Sequence, residues 1–403
     1  MSLTPRRVAL LSLSVTAACL PLYVVRWRIG PVPTTLLEIL ILITVAAYLF
    51  TLWSERRLPT RTGYEIPIAI LLIAGVIGIF VSPDPTRALG IYRAYFLEAV
   101  ACFYVAVDLL DTPRDLRIFL LAAAAGSSVM ATGQIVSFTW VAAHGQLKLG
   151  DAPSFLNTSA NADAMFLEPP LAFALGFFAF PSGRRERLIA GVVLALVFVG
   201  IVLTLSRAAY LAMAVLAVVF VLSLQGRKWR LRALGAIAVL GLITVEIPFI
   251  NHRLLDLAHS VTNRTSIYHQ ALQMLAERPL FGAGISGYAI RVAPFRPPKA
   301  SIHIYPHDIW LTTWSELGLL GLFAFAFIFF ALLWHGVRAL PRASEIYRPL
   351  LWGAVGALVL YAVHGLFDSP YWKNDLSVEF WLLAALQVVG VRATRHAKAP
   401  TAP

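Results

Sequence analysis

The chain has 403 residues, of which 59% are hydrophobic and only 13% charged, and its mean hydropathy is +0.75. Soluble domains carry about 25% charged residues, so the composition excludes a protein whose main solvent is water. The formal net charge of +12 does not mark a nucleic-acid partner, because the basic residues alternate by loop. Apolar runs of about 17 to 25 residues fit helices crossing a hydrocarbon core roughly 30 Å thick. Strand-like alternation is absent, which argues against an outer-membrane barrel. The predicted fold class is an all-α polytopic membrane protein with about twelve transmembrane helices. These spans centre near Ala17, Ile43, Ile73, Ala99, Ser127, Phe173, Leu196, Val215, Leu240, Phe325, Val359 and Leu383. Cys19 and Cys102 both fall inside apolar runs and read as small buried hydrophobes.

Basic residues crowd alternate connections: Arg6 and Arg7, Arg56 and Arg57, Arg114 and Arg117, Arg184 to Arg187, Arg227 to Arg232, Arg338 to Arg348, and Arg392 to Lys398. The intervening short loops carry far fewer, among them Arg26, Arg87, Lys148 and Lys373. The positive-inside rule then sets both termini in the cytoplasm of a multi-pass inner-membrane protein. No small-residue cleavage site follows the first span, so no cleavable signal peptide is expected.

Two connections are long, from about Val141 to Asp163 and from about Asn251 to Pro306, and both fall on the outer side. Long loops in compact bundles are usually functional or disordered. The second contains Arg264, Tyr268, Ala271 and Leu275 on one helical face, with Thr262 or Asn263 as cap and Pro279 beyond the end. This amphipathic helix is expected beside the outer mouth of the bundle, between the ninth and tenth spans. Gly282, Gly284 and Gly287 then allow a tight reversal; they spell GxGxxG but lack the βαβ context of a dinucleotide site. The predicted organisation is a bundle over 1–250, an outer loop over 251–306, a second bundle over 307–392 and a cytoplasmic tail over 393–403.

Candidate chemistry clusters on the outer side. Arg207 stands where the seventh and eighth spans meet almost without a loop. A charged group at that depth is costly and usually faces a bundle interior or pathway, and a guanidinium suits phosphate. Arg264, read as the start of the amphipathic helix, adds to an anion site at a helix N-terminus. His307 lies where the large loop re-enters the membrane, and its neutral ring can accept or orient a hydroxyl proton. Asp308 beside it is a further substrate-binding candidate, as are His364 and Asp368, spaced i, i+4 at the end of the eleventh span. Arg93 and Glu98 read either as a buried pair or as the extension of a polar cavity. Asp84, Asp151 and Asp163 are outer carboxylates with no metal-binding spacing, and no HExxH, paired-Cys set or Walker loop is present, so no metal or cofactor is expected.

Three segments together resemble the O-antigen ligase and polymerase superfamily of bacterial membrane glycosyltransferases. They are Leu203-Thr-Leu-Ser-Arg-Ala208; Arg264-Thr-x-x-Tyr268 leading to Pro279-Leu-Phe-Gly-x-Gly284; and His307-Asp-Ile-Trp-Leu311 leading to Glu316-Leu-Gly-Leu-Leu-Gly321. The resemblance implies a glycan donor on undecaprenyl diphosphate, with transfer at the periplasmic face to lipid A-core, to a lipid-linked glycan or to a protein hydroxyl. It further implies that Arg207 and Arg264 hold the diphosphate, that His307 positions or deprotonates the acceptor, and that Asp368 matches an aspartate of some ligases. Family members usually have asparagine after the histidine, where this chain has Asp308, and Asn161-Ala-Asp163 is only loosely similar to the family's Asn-rich turn. The expected function is a metal-independent inverting glycosyltransferase, an O-antigen ligase first. A polymerase acting on lipid-linked repeats and a lipid-linked glycan transporter without catalysis are the alternatives.

Overall fold

The structure, a computed structural model, describes residues 4–30, 32–147, 152–224, 226–245, 257–298 and 300–396. Lys148, Asp151, Lys398 and the first part of the large loop lie outside them. The described chain is nearly all helix. In order come α1 (Pro5–Ala18), α2 (Leu36–Glu55), α3 (Glu65–Val81), α4 (Pro85–Tyr92), α5 (Glu98–Leu109), α6 (Pro113–Ala143), α7 (Ala160–Ala179) and α8 (Arg184–Val202). Then follow α9 (Arg207–Ser223), α10 (Arg227–Val245), α11 (Leu257–Glu277), the single turn α12 (Tyr288–Arg291), α13 (Ile309–Ala339), α14 (Arg348–His364) and α15 (Asn374–His396). A short antiparallel hairpin, β1 (Arg26–Ile29) and β2 (Val32–Thr35), joins the first two helices. Local sequence explains the starts. Thr4, Thr35, Asp84, Thr112, Ser159, Ser206 and Asp308 each cap the following helix with a side-chain oxygen, and proline follows Thr4, Asp84 and Thr112.

A helix stands at each of the twelve expected span centres. Among the described residues, six helical stretches are long and apolar enough to cross a membrane: α2, α4 with α5, α6, α7, α13 and α15. The apolar helices α3, α9 and α14 are shorter. Helices α1, α8 and α10 fall in neither group, since all three open on basic or mixed charge. The bundle has the polarity of a membrane protein. Phe80, Trp53 and Phe323 lie exposed on its outside, while Asp163, Glu168, Glu316, His364 and Asp375 are buried within. The interior is aromatic between α5, α13 and α15, with Phe325 against Tyr371 and Phe103 against Trp381.

The bundle has two chemically distinct ends. At one, Arg6 at the start of α1 pairs with Asp111 at 2.6 Å, and Arg57 after α2 pairs with Asp108 at 2.7 Å. Tyr64 and His335 also meet there, at 2.9 Å. At the other end α7, α9 and α13 begin and α14 finishes. Arg93 sits in a π-helical turn between α4 and α5, half-buried, bridging the buried Glu38 at 2.8 Å and Glu98 at 3.4 Å.

The GxGxxG stretch fastens α11 to the bundle. Ala283 N–H donates to Ser315 O, Leu319 N–H to Leu280 O, and Ile285 N–H to Gly78 O at the end of α3. Glu316 accepts the Ser286 N–H from inside α13. Gly318 interrupts α13 with φ +68°, and Gly284 has φ +79° against the backbone of Ser82, conformations that a Cβ would strain. The glycine motif is therefore a clamp between two helices.

Candidate active site

Three segments converge where α7 and α9 begin. His307 precedes α13, and its own backbone is left-handed, at φ +56°. A non-glycine residue held there costs about 1–3 kcal/mol and persists only where the surroundings fix it. Here they do. The Tyr268 hydroxyl of α11 donates to the His307 carbonyl at 3.2 Å and to Leu366 O at 2.7 Å. Asp308 caps α13 by accepting the Leu311 N–H at 2.7 Å. Aspartate and asparagine cap about equally well, so Asp308 fills the role open to the family's asparagine. Its carboxylate is engaged in that cap, and the substrate-binding reading gains nothing from the geometry.

The imidazole is held at both nitrogens. Nδ1 lies 3.1 Å from Asp368 Oδ1 and Nε2 lies 3.2 Å from His303 Nδ1. Burial pushes the Asp368 carboxyl up, but the His307 hydrogen bond, the charges of His307 and His364, and the Ser369 N–H outweigh it, holding Asp368 well below the ordinary carboxylate range. An ionised Asp368 places the imidazole proton on Nδ1 and leaves Nε2 as the basic nitrogen. Burial, with His307 and Arg264 nearby, lowers the pKa of His303 and favours its neutral ring, which can offer an Nδ1–H to that nitrogen. The His307 side chain keeps 33% of its surface exposed, so a substrate hydroxyl can reach it.

Asp368 also ties in α7 and α9. Asn161 donates to its Oδ2, and Ser206, the cap of α9, donates to Asn161 Oδ1. Arg207, the first residue of α9, thus stands beside a residue two hydrogen bonds from Asp368. The anion-favouring helix N-terminus belongs to Arg207. It does not belong to Arg264, because α11 already begins at Leu257, and Thr262 and Asn263 are helical residues rather than caps. Arg264 reaches the site differently: its Cζ lies 5.8 Å from the Phe367 ring centre, one turn from Tyr268. Its Nη1 is buried without a hydrogen-bond partner among the described residues. A buried guanidinium donor without a partner, near a half-buried imidazole, suits an anion that enters the site.

His364 is corrected. The i, i+4 spacing predicts a shared helix face with Asp368, for substrate or for a structural hydrogen bond between the two, but α14 ends at His364 and Asp368 lies beyond, in the following turn. His364 is fully buried and holds Glu168 at 2.6 Å, inside the bundle. Asp84 caps α4 and Asp163 accepts the Phe155 N–H. Among the described residues no group of three His, Cys, Asp or Glu side chains is placed to hold a metal ion. His303 and Phe367 escaped sequence reasoning. The only signal for His303 was its position four residues before His307, and Phe367 gave none.

The O-Antigen ligase family model matches residues 191–326, from within α8 into α13, and so spans Arg207, Arg264 and His307. The O-antigen ligase of Salmonella typhimurium is 23% identical over 361 residues, covering 82% of this chain and 85% of the relative. Over these segments the chain is similar to the O-antigen ligase superfamily. That similarity supports a membrane enzyme of the glycosyltransferase type. The superfamily segments around Ser206, Arg264 and His307 are the ones that meet in space, and the Pro279–Gly284 and Glu316–Gly321 segments form the clamp beneath them.

Proposed function

We propose that the protein transfers a glycan from undecaprenyl diphosphate to an acceptor hydroxyl at the periplasmic face, with lipid A-core as the acceptor. The observation that carries this reading is the His307–Asp368 pair, with the Arg264 guanidinium nearby and its Nη1 without a partner among the described residues. In the reaction, the acceptor hydroxyl displaces His303 from His307 Nε2 and gives its proton to that nitrogen. Its oxygen attacks the anomeric carbon from the side opposite the diphosphate, the sugar–phosphate bond breaks, and configuration inverts. Asp368 holds the tautomer and stabilises the imidazolium, as the aspartate does in Ser-His-Asp triads. Arg264 and Arg207 take up the charge growing on the leaving diphosphate. Each such donor is worth on the order of 100- to 1000-fold in rate, and two fixed cations fulfil the role a metal would otherwise have. The driving force comes from the donor's own sugar–diphosphate bond.

This chemistry sets the end carrying His307 in the periplasm and the end carrying Arg6 and Arg57 in the cytoplasm, with about twelve spans between, in keeping with the positive-inside rule. The test is purified protein with lipid-linked glycan and lipid A-core. Transfer that survives EDTA and yields the inverted linkage supports the proposal. Transfer abolished by EDTA, or retained configuration, contradicts it. A lipid-linked repeat preferred over lipid A-core as acceptor would instead make the enzyme a polymerase.

A further inference from the structure

A cavity of about 710 Å³ in the bundle has no part in the transfer site. It is a groove between α6, α7, α8 and α15, within the size range of small-molecule and cofactor pockets. Pro169 and Pro170 lie inside α7, where each removes a helical N–H and crowds the preceding turn. The length of the groove is apolar, with Phe173, Phe177 and Leu383 along its walls. One mouth is cationic. Arg114 and Arg117 from the first turns of α6, and Arg184 and Arg185 from the first turn of α8, line it together and outnumber the one acidic residue there, Glu186, which accepts the Ser182 N–H.

Those four arginines are exposed, and none forms an ion pair among the described residues. Each stands at the end of its helix where the macrodipole disfavours a cation. Gly183 at the α8 N-cap supplies no side-chain cap. A bound phosphate would satisfy the guanidinium groups and the free N–H groups of α8 at once. The mouth lies at the start of α8, whereas Ser206 and Arg207 follow its end. A 19-residue helix separates the two by roughly 28 Å. The donor's diphosphate, which must reach His307, cannot occupy this mouth.

We propose that the groove is a binding site for an anionic glycerophospholipid, its acyl chain along α6 and α7 and its phosphate on the four arginines. The site does not depend on the transfer reaction proposed above; only the assignment of the leaflet rests on that orientation. Native mass spectrometry of the full chain in detergent tests it, with phosphatidylglycerol, phosphatidylethanolamine and a polyprenyl phosphate as separate additions. Phosphatidylglycerol should be retained over phosphatidylethanolamine by at least about tenfold, a preference of the size that several surface arginines confer. Replacing Arg114, Arg117, Arg184 and Arg185 by glutamine should remove that preference, and replacing them by lysine should keep most of it. Ala124→Phe, which narrows the groove, should weaken retention with the charges intact. Equal retention of phosphatidylethanolamine, undiminished phosphatidylglycerol in the glutamine variant, or displacement by the polyprenyl phosphate would each overturn the proposal. Melting temperatures of all variants identify any that fail to fold, and for such a variant the Ala124→Phe result decides.

Discussion

At His307 a strained backbone and a doubly held ring occur in one residue, with φ at +56° and partners on both nitrogens. Asp368 is the partner that gives the ring direction. Because its carboxyl is held below the ordinary value of about 3.9, its contribution to folding is complete above that pH and drains away as pH falls toward the lower folded value. Asp368→Asn should therefore melt at a lower temperature than the parent at pH 7, and the gap should close in acid. Transfer by the same variant should drop by about 100- to 10,000-fold, the range for a disabled general base. A variant as active as the parent would remove Asp368 from the mechanism. The sequence named Arg207, Arg264, His307 and Asp368 as candidates, but it paired Asp368 with the wrong histidine. An i, i+4 spacing implies a shared face only while the helix continues, and α14 ends at His364. The misreading of Arg264 has the same origin. Thr262 and Asn263 look like caps, but the helical chain already runs from Leu257, so only the neighbouring turns decide whether a polar residue caps or continues.

Among the elements, α11 matters most, and the glycine clamp holds it. Its buried face of Ala271, Met274 and Leu275 packs on Ala283, Tyr288 and Val292, and its next turn carries Tyr268 and Arg264 to the site. A side chain at Gly318 would meet the backbone of Leu280 and Phe281. Gly318→Ala should cost about 1–3 kcal/mol and release α11. Faster proteolysis within 257–298 and loss of transfer, with the bundle still folded, are the expected readouts. Unchanged proteolysis would show that the clamp does not hold the helix. This face was legible in advance, because its spacing is helical and its residues differ sharply in polarity. The clamp was not: GxGxxG prescribes backbone freedom, and the partners that use it are hydrogen bonds from α3 and α13, far away in sequence.

For the whole molecule, hydropathy placed a helix at every expected centre, since a 20-residue apolar run has few other folds available. It overstated their likeness, because α1, α8 and α10 are short or heavily charged at one end. The proposed orientation predicts that a membrane-impermeant maleimide labels Ser266→Cys but not Ser182→Cys in intact cells, in a background lacking Cys19 and Cys102. The reverse pattern would put the His307 end in the cytoplasm, where the proposed substrates do not meet it. The central claim is that one pocket divides its work, with guanidinium groups holding the diphosphate and His307 handling the proton. It is tested most directly by measuring donor binding and single-turnover transfer side by side in purified His307→Ala and Arg264→Ala. The account predicts that His307→Ala binds lipid-linked glycan as the parent does and transfers none, while Arg264→Ala loses about 100- to 1000-fold in transfer along with donor affinity. Undiminished transfer by His307→Ala would contradict it.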